Sequence, residues 1–142
     1  MTIISIVLLL LLVIVCVGYF LAGLVIHIRT YGDEDIYKYE TNAGTLVRED
    51  IDSLSKEEVF IRSPYGYRLR GLFFKAPQDA GRAIVLVHGV STSLVSSLKY
   101  MGIFRKRGYH VLAYDHCRHG GSGGSNTTFG FYEKDDLNAC VD

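Results

Sequence analysis

The run Ala83-Ile84-Val85-Leu86-Val87 constrains this chain more than any other stretch. Both of its faces are apolar, and three of its five residues are β-branched. A strand with one face in water alternates apolar and polar side chains. One that is apolar on both sides suits a sheet covered on both faces, as parallel sheets are. Parallel neighbours need a crossover, and the sequence supplies one. Ser91 to Arg107 puts Leu94, Leu98, Met101 and Phe104 on one helical face, and Gly108 can close that helix. Val111-Leu112-Ala113-Tyr114 follows as a second buried strand ending at Asp115. Upstream, Val59-Phe60-Ile61 and Tyr67 to Phe74, joined at Ser63-Pro64-Tyr65-Gly66, read as a β-hairpin. Leu69, Gly71 and Phe73 alternate there with Arg68, Arg70 and Leu72, which predicts one solvated face. Pro77 to Gly81 is the next turn. Phe131 to Asp142 begins a helix with Glu133, Asp135 and Asp136 in its first turns and Leu137 and Val141 toward the sheet. The class is α/β.

The N-terminal part is different. The first 26 residues carry no charged side chain, and Ile3 to Ile26 is almost entirely Ile, Leu, Val, Phe, Ala and Gly. A helix of that length crosses a hydrocarbon core of about 30 Å. A cleaved leader would show basic residues before the run and a small-x-small site after it. Neither is present, since Phe20-Leu21-Ala22 has a bulky residue where a small one is needed. Residues 1–28 are therefore expected to be an uncleaved, single-pass transmembrane anchor. Gly18 and Gly23 are five apart, which misses the small-residue pairing motif. The nearest cations, Arg29 and Lys38, both follow the span and lean the expectation toward a cytoplasmic domain. Residues 29–58 read as a juxtamembrane linker, polar over 29–45, with a short helix from Asp50 to Glu58 capped by Ser53 or Ser55. Residues 59–142 read as the folded domain.

Charge and cysteine usage exclude several functions. Fifteen Lys and Arg balance fifteen Asp and Glu. The densest basic cluster, Arg105-Lys106-Arg107, falls at a helix end and complements its dipole, so no nucleic-acid partner is expected. Cys16 lies in the apolar run. Cys117 and Cys140 could pair, but nothing in their spacing asks for it. There is no P-loop, and no G-x-G-x-x-G follows a strand, so no cofactor is expected. His116 and His119 with Cys117 between them are too crowded to share an ion, and no second ligand pair exists, so no metal is expected. His110 is expected at the surface and His27 at the membrane boundary.

Chemistry is expected where a buried strand meets the next helix, at His88-Gly89-Val90-Ser91. Ligands bind outside the carboxyl ends of parallel strands, and backbone N–H groups fixed there can stabilise an oxyanion. Gly89 permits close approach of a ligand or loop. Gly120-Gly121-Ser122-Gly123-Gly124 formally matches the G-x-S-x-G nucleophile motif, which requires a sharp strand-to-helix turn. Four residues, His116 to His119, separate it from the strand, and Ser125-Asn126-Thr127-Thr128 is loop chemistry. Ser122 is therefore read as scaffold.

With His88-Gly89, then Tyr114-Asp115-His116-Cys117-Arg118-His119-Gly120-Gly121-Ser122, then Thr128-Phe129-Gly130-Phe131-Tyr132-Glu133, the chain resembles the N-terminal half of α/β-hydrolase fold proteins. More narrowly, it is similar to membrane-anchored members of the serine aminopeptidase-like or lysophospholipase-like branch. The resemblance covers about Val59 to Asp142. It implies an incomplete α/β-hydrolase sheet, in which a β-hairpin feeds parallel strands with flanking helices, preceded by one transmembrane helix. It implies the Val90 N–H as an oxyanion-hole donor, with His88 and Gly89 as the supporting turn. The Asp-x-x-Arg-x-Gly-x-Ser loop from Asp115 braces that edge, and Cys117 stands where a second basic or small residue is frequent. The nucleophile, acid and catalytic histidine are expected beyond Asp142. The implied activity is hydrolysis of an ester, thioester or amide in a small-molecule or lipid-like substrate by a serine triad, with this portion inactive alone. The alternative is a non-catalytic, membrane-tethered binding module, against which uncovered apolar strand faces would count.

Overall fold

Helix α1 (Thr2–Ile26) runs 25 residues without one buried side chain and is long and apolar enough to cross a membrane. It leads into a four-stranded sheet in a computed structural model that describes residues 2–78 and 81–141. The strands are β1 (Glu57–Arg62), β2 (Arg68–Phe74), β3 (Arg82–Val87) and β4 (Tyr109–Tyr114), in the order β1-β2-β4-β3. The β1–β2 hairpin is antiparallel in the expected register, with Val59 opposite Gly71. β2 also pairs antiparallel with β4, while β3 and β4 are parallel, Val87 lying beside Tyr114. The expected mixed α/β sheet, a hairpin feeding a parallel pair, is the one found. Of the turn expected over Pro77 to Gly81, Asp79 and Ala80 lie outside the described residues, as does Asp142 at the end of the last expected helix.

The core occupies one face of this sheet. Leu72, Phe74, Leu86, Val111 and Ala113 meet Leu94, Val95, Leu98 and Met101 from the crossover and Ile36, Leu46 and Ile51 from the segment before β1. The opposite face is thinner. By strand alternation it carries Val85, Val87, Phe73 and Leu112, of which Val87 is exposed and the other three are half-buried.

Several local expectations are corrected. The polar stretch 29–45 is not an open linker, because α2 (Asp33–Asn42) forms there and buries Ile36 and Glu40 one turn apart. Glu40 is buried because the Lys99 ammonium reaches its carboxylate at 2.8 Å. The helix expected over Asp50 to Glu58 is instead α3 (Arg48–Asp52). Ser53 closes its C-terminal end, its hydroxyl donating to the Asp50 carbonyl at 2.8 Å, and Glu57-Glu58 have joined β1. β2 is an interior strand, so the hairpin's expected solvated face is largely lost: Leu69, Gly71, Leu72 and Phe74 are all buried. β3 sits at the sheet edge, and only Leu86 in it is buried. The single helix expected over Ser91 to Arg107 is two short ones, α4 (Val95–Leu98) and α5 (Met101–Arg105). Ser96 and Ser97 explain the break, since their hydroxyls donate to the Ser93 and Leu94 carbonyls and compete with the helical ladder. Gly108, at φ 81°, does end the crossover. The last helix is α6 (Glu133–Ala139), but Leu137 and Val141 face outward and it is Asp136 that is buried, accepting from the Tyr67 hydroxyl at 2.6 Å. His110 is half-buried, its ring nitrogen accepting from the Ala76 N–H. All three cysteines are free.

Candidate functional site

Asp115 organises the carboxyl edge of β4. Its side chain is fully buried. One oxygen accepts the Leu94 N–H at 2.7 Å; the other accepts the Gly121 N–H at 3.0 Å and the Arg70 guanidinium at 3.2 Å. Burial pushes this carboxyl up from its ordinary value, against the pull of those N–H groups. One carboxylate thus fixes the start of the crossover and the Gly-rich loop together. Gly120 is required there, at φ 48°, because a Cβ on it would overlap the Asp115 carboxylate. Arg70 spreads the network further, pairing with Glu58 on β1 and with Asp33 at the start of α2, each at 2.7 Å.

Ser122 is committed to the backbone. Its hydroxyl donates to the Asp115 carbonyl at 2.6 Å and accepts the Arg70 N–H at 2.8 Å. The loop pairs with β2 as well, the Gly123 N–H donating to the Arg68 carbonyl. The reading of Ser122 as scaffold agrees with this geometry.

Two imidazoles lock the His88–Ser91 turn to the His116–His119 loop. His88 donates from Nδ1 to the Gly89 carbonyl at 2.7 Å, and its Nε2 accepts the His116 N–H at 3.0 Å. His119 donates from Nδ1 to the Cys117 carbonyl at 2.8 Å, and its Nε2 accepts the Ser91 N–H at 3.3 Å. A carbonyl only accepts and an amide N–H only donates, so both rings are neutral with the proton on Nδ1. Burial drives the His88 pKa down to about 3, which fits that state. His116 is lowered by burial too. Ser91 is held at φ 68°, a backbone position uncommon outside glycine. This bracing is what sequence reasoning missed. Its only signals were His116 and His119, read there with Cys117 as too crowded for a metal ion, and His88, read as part of the oxyanion-hole turn. Among the described residues no cluster suited to a metal ion occurs.

The turn opens onto a groove of about 430 Å³ at the carboxyl ends of β3 and β4, lined by Val87, His88, Val90, Tyr114, Thr127 and Phe129 among others. Val90 is half exposed there, and its N–H has no partner among the described residues. His88 is buried behind it, and nothing comes within 4 Å of a Cβ built on Gly89. Three residues lining the groove each carry a buried polar atom without a partner among the described residues: the Tyr114 hydroxyl, His116 Nδ1 and the Thr127 hydroxyl. The far wall is a clamped loop. Burial alone would raise Glu133, but Thr128 and Gly130 donate to its carboxylate at 2.6 to 2.9 Å and hold it below its ordinary range. Phe129 is kept at φ 52° and stays exposed.

The same turn and loops hold the exit of α1. The Thr127 N–H donates to the Ile26 carbonyl at 2.9 Å, the Arg118 guanidinium to the Ile28 carbonyl at 2.6 Å, and the Tyr31 N–H to the Ser91 carbonyl at 3.0 Å.

No family model matches the chain. It is 43% identical over 128 residues to the uncharacterised protein YqkD of Bacillus subtilis (strain 168), spanning 90% of this chain and 42% of that one. Among solved structures it is similar to the Pyrococcus furiosus esterase Pf2001, at 28% identity and a TM-score of 0.59 over 82% of this chain and 40% of the esterase. It is also similar to the α/β hydrolase GrgF from Penicillium sp. sh18, at 26% identity and a TM-score of 0.52 over 62% of this chain and 31% of that one. The sheet and its flanking helices are therefore similar to those of an esterase and an α/β hydrolase, and the chain spans about two fifths of the length of the first two relatives.

Proposed function

We propose that these residues form the oxyanion-hole side of a membrane-anchored serine hydrolase acting on an ester, thioester or amide bond. The observation that carries the reading is the Val90 N–H. It stands on a turn at the carboxyl end of β3 with no partner among the described residues, and two neutral histidines hold that turn against the neighbouring loop. A donor fixed before reaction stabilises charge as it develops on a substrate carbonyl oxygen, without reorganisation during the step. In G-x-S-x-G hydrolases one such donor comes from a loop after an early strand and the other from the residue after the nucleophile. Val90 takes the first role. The nucleophile, its acid and its histidine are assigned to residues that follow Asp142, in keeping with the greater length of the esterase and of YqkD.

Two further features support this assignment. The exposed edge and half-covered face of β3 suit another parallel strand and its helix. The unpartnered Tyr114 and Thr127 hydroxyls each cost about 1–3 kcal/mol while unmet, and further chain or bound substrate would satisfy them. α1 is assigned as a retained anchor, because the Ile26 and Ile28 carbonyls are bonded into the domain. Arg29 and Lys38 after the span favour a cytoplasmic domain. The substrate class is a small-molecule or lipid-like acyl compound.

The test is turnover of a short-chain nitrophenyl ester by the 142-residue chain and by the gene product expressed at the length of its relatives. The longer protein is expected to hydrolyse it and the 142 residues to be inert. Hydrolysis by the 142 residues, or none by the longer protein, would contradict the assignment.

A further inference from the structure

We propose that the mouth of the groove lies in the membrane interface, with Val90 and Phe129 inserted among the lipid headgroups of the leaflet that α1 exits. This goes beyond anchoring by α1 and rests on the reading of α1 as a spanning helix.

The inference comes from where the exit of α1 is fastened. Both lips of the groove are hydrogen-bonded to the few residues that leave the helix. Thr127, two residues before Phe129, donates to Ile26, the last residue of α1. Ser91, next to Val90, accepts from Tyr31. Arg118, from the loop below the groove, closes the gap at Ile28. Two residues of chain reach at most about 7 Å. The headgroup layer on each side of a bilayer is about 5–8 Å deep. With the 2.9 Å bond from Thr127 to Ile26 added, the Phe129 backbone lies within about 10 Å of Ile26, so with Ile26 at the hydrocarbon boundary it is held within the headgroup layer or at its outer edge.

The side chains presented there suit the position. Val90, on the turn after β3, and Phe129, on the loop before α6, are each 54% exposed and line one groove. Phe129 is held outward at positive φ by the Thr128–Glu133 clamp, a conformation a bulky residue seldom adopts. Arg29 stacks on the Tyr31 ring at 5.2 Å, an aromatic and cationic pair of the kind favoured at the bilayer surface. By contrast, the amino ends of β3 and β4, at Arg82 and Tyr109, are a full strand length from the groove, and this placement puts them on the water side.

The chain contains no tryptophan, so one introduced residue is a single reporter. Phe129→Trp and Val90→Trp probe the two lips, and Tyr109→Trp probes the far end of β4. Each 142-residue variant is reconstituted in phosphatidylcholine vesicles, with or without acyl chains brominated near the headgroup. The expected result is blue-shifted emission from both lip reporters, with most of it lost in the brominated vesicles, and no change for Tyr109→Trp. Lip reporters unquenched in a chain that floats with the vesicles overturn the proposal alone. A chain that does not float overturns the anchor and this proposal with it. Equal quenching of all three reporters overturns the assigned orientation. None of these readings depends on hydrolase activity, so failure of the proposed reaction would be seen separately.

Discussion

At the scale of single residues, the site is governed by groups whose polar atoms are already spent. Ser122 bridges the Asp115 carbonyl and the Arg70 N–H. Ser122→Ala should therefore cost about 1–2 kcal/mol of stability, read from the denaturant midpoint in detergent, by leaving both backbone groups short of a partner. His88 gives a pH signature. Its folded pKa, driven to about 3 by burial, lies below the ordinary 6.5, so the unfolded chain binds the extra proton. The stability that neutral His88 contributes is complete above pH 6.5 and is lost as the pH falls toward 3. Asp115, raised by burial, works in the opposite sense, so the informative quantity is the difference between the native chain and His88→Asn. That difference should shrink by about 2 kcal/mol between pH 7 and pH 4.5. A difference that does not change over this range would mean the ring is not held neutral.

At the scale of elements, the same loops show what a sequence can and cannot disclose. The separation of the Gly-rich loop from the strand was legible, because four intervening residues rule out a sharp elbow, and the Ser122 hydroxyl is bonded to two backbone groups. The strands were legible from side-chain alternation and branching. α2 was not, because only one apolar residue, Ile36, marks its buried face, and its second buried position is a glutamate. No periodicity announces a carboxylate whose burial depends on a lysine far along the chain. Removing that lysine is correspondingly specific. Lys99→Ala leaves Glu40 buried without its counter-ion, with only the Thr45 hydroxyl still donating to the carboxylate, and should cost about 3 kcal/mol. Hydrogen exchange should then rise in α2 before it rises in β2 or β4. A uniform rise would show instead that α2 has no separate attachment. The exposure of β3 was illegible for another reason. An apolar pattern on both faces states what a strand is suited to pair with, not what covers it.

At the scale of the whole molecule, one apolar helix and one half-covered sheet meet at a single groove. The Asp33–Arg70–Asp115 chain of charges joins the segment after the helix to the sheet, and the lips of the groove join it to the helix itself. The central claim is that the Val90 N–H receives the developing oxyanion of a serine hydrolase. It is tested most directly by fluorophosphonate labelling of the gene product at the length of its relatives, with Val90 replaced by its α-hydroxy acid so that the N–H becomes an ester oxygen. The account predicts saturable labelling of a serine that follows Asp142, slowed about 100-fold by the replacement, and none on Ser122. Labelling at Ser122, or a rate indifferent to the loss of that one N–H, would contradict it.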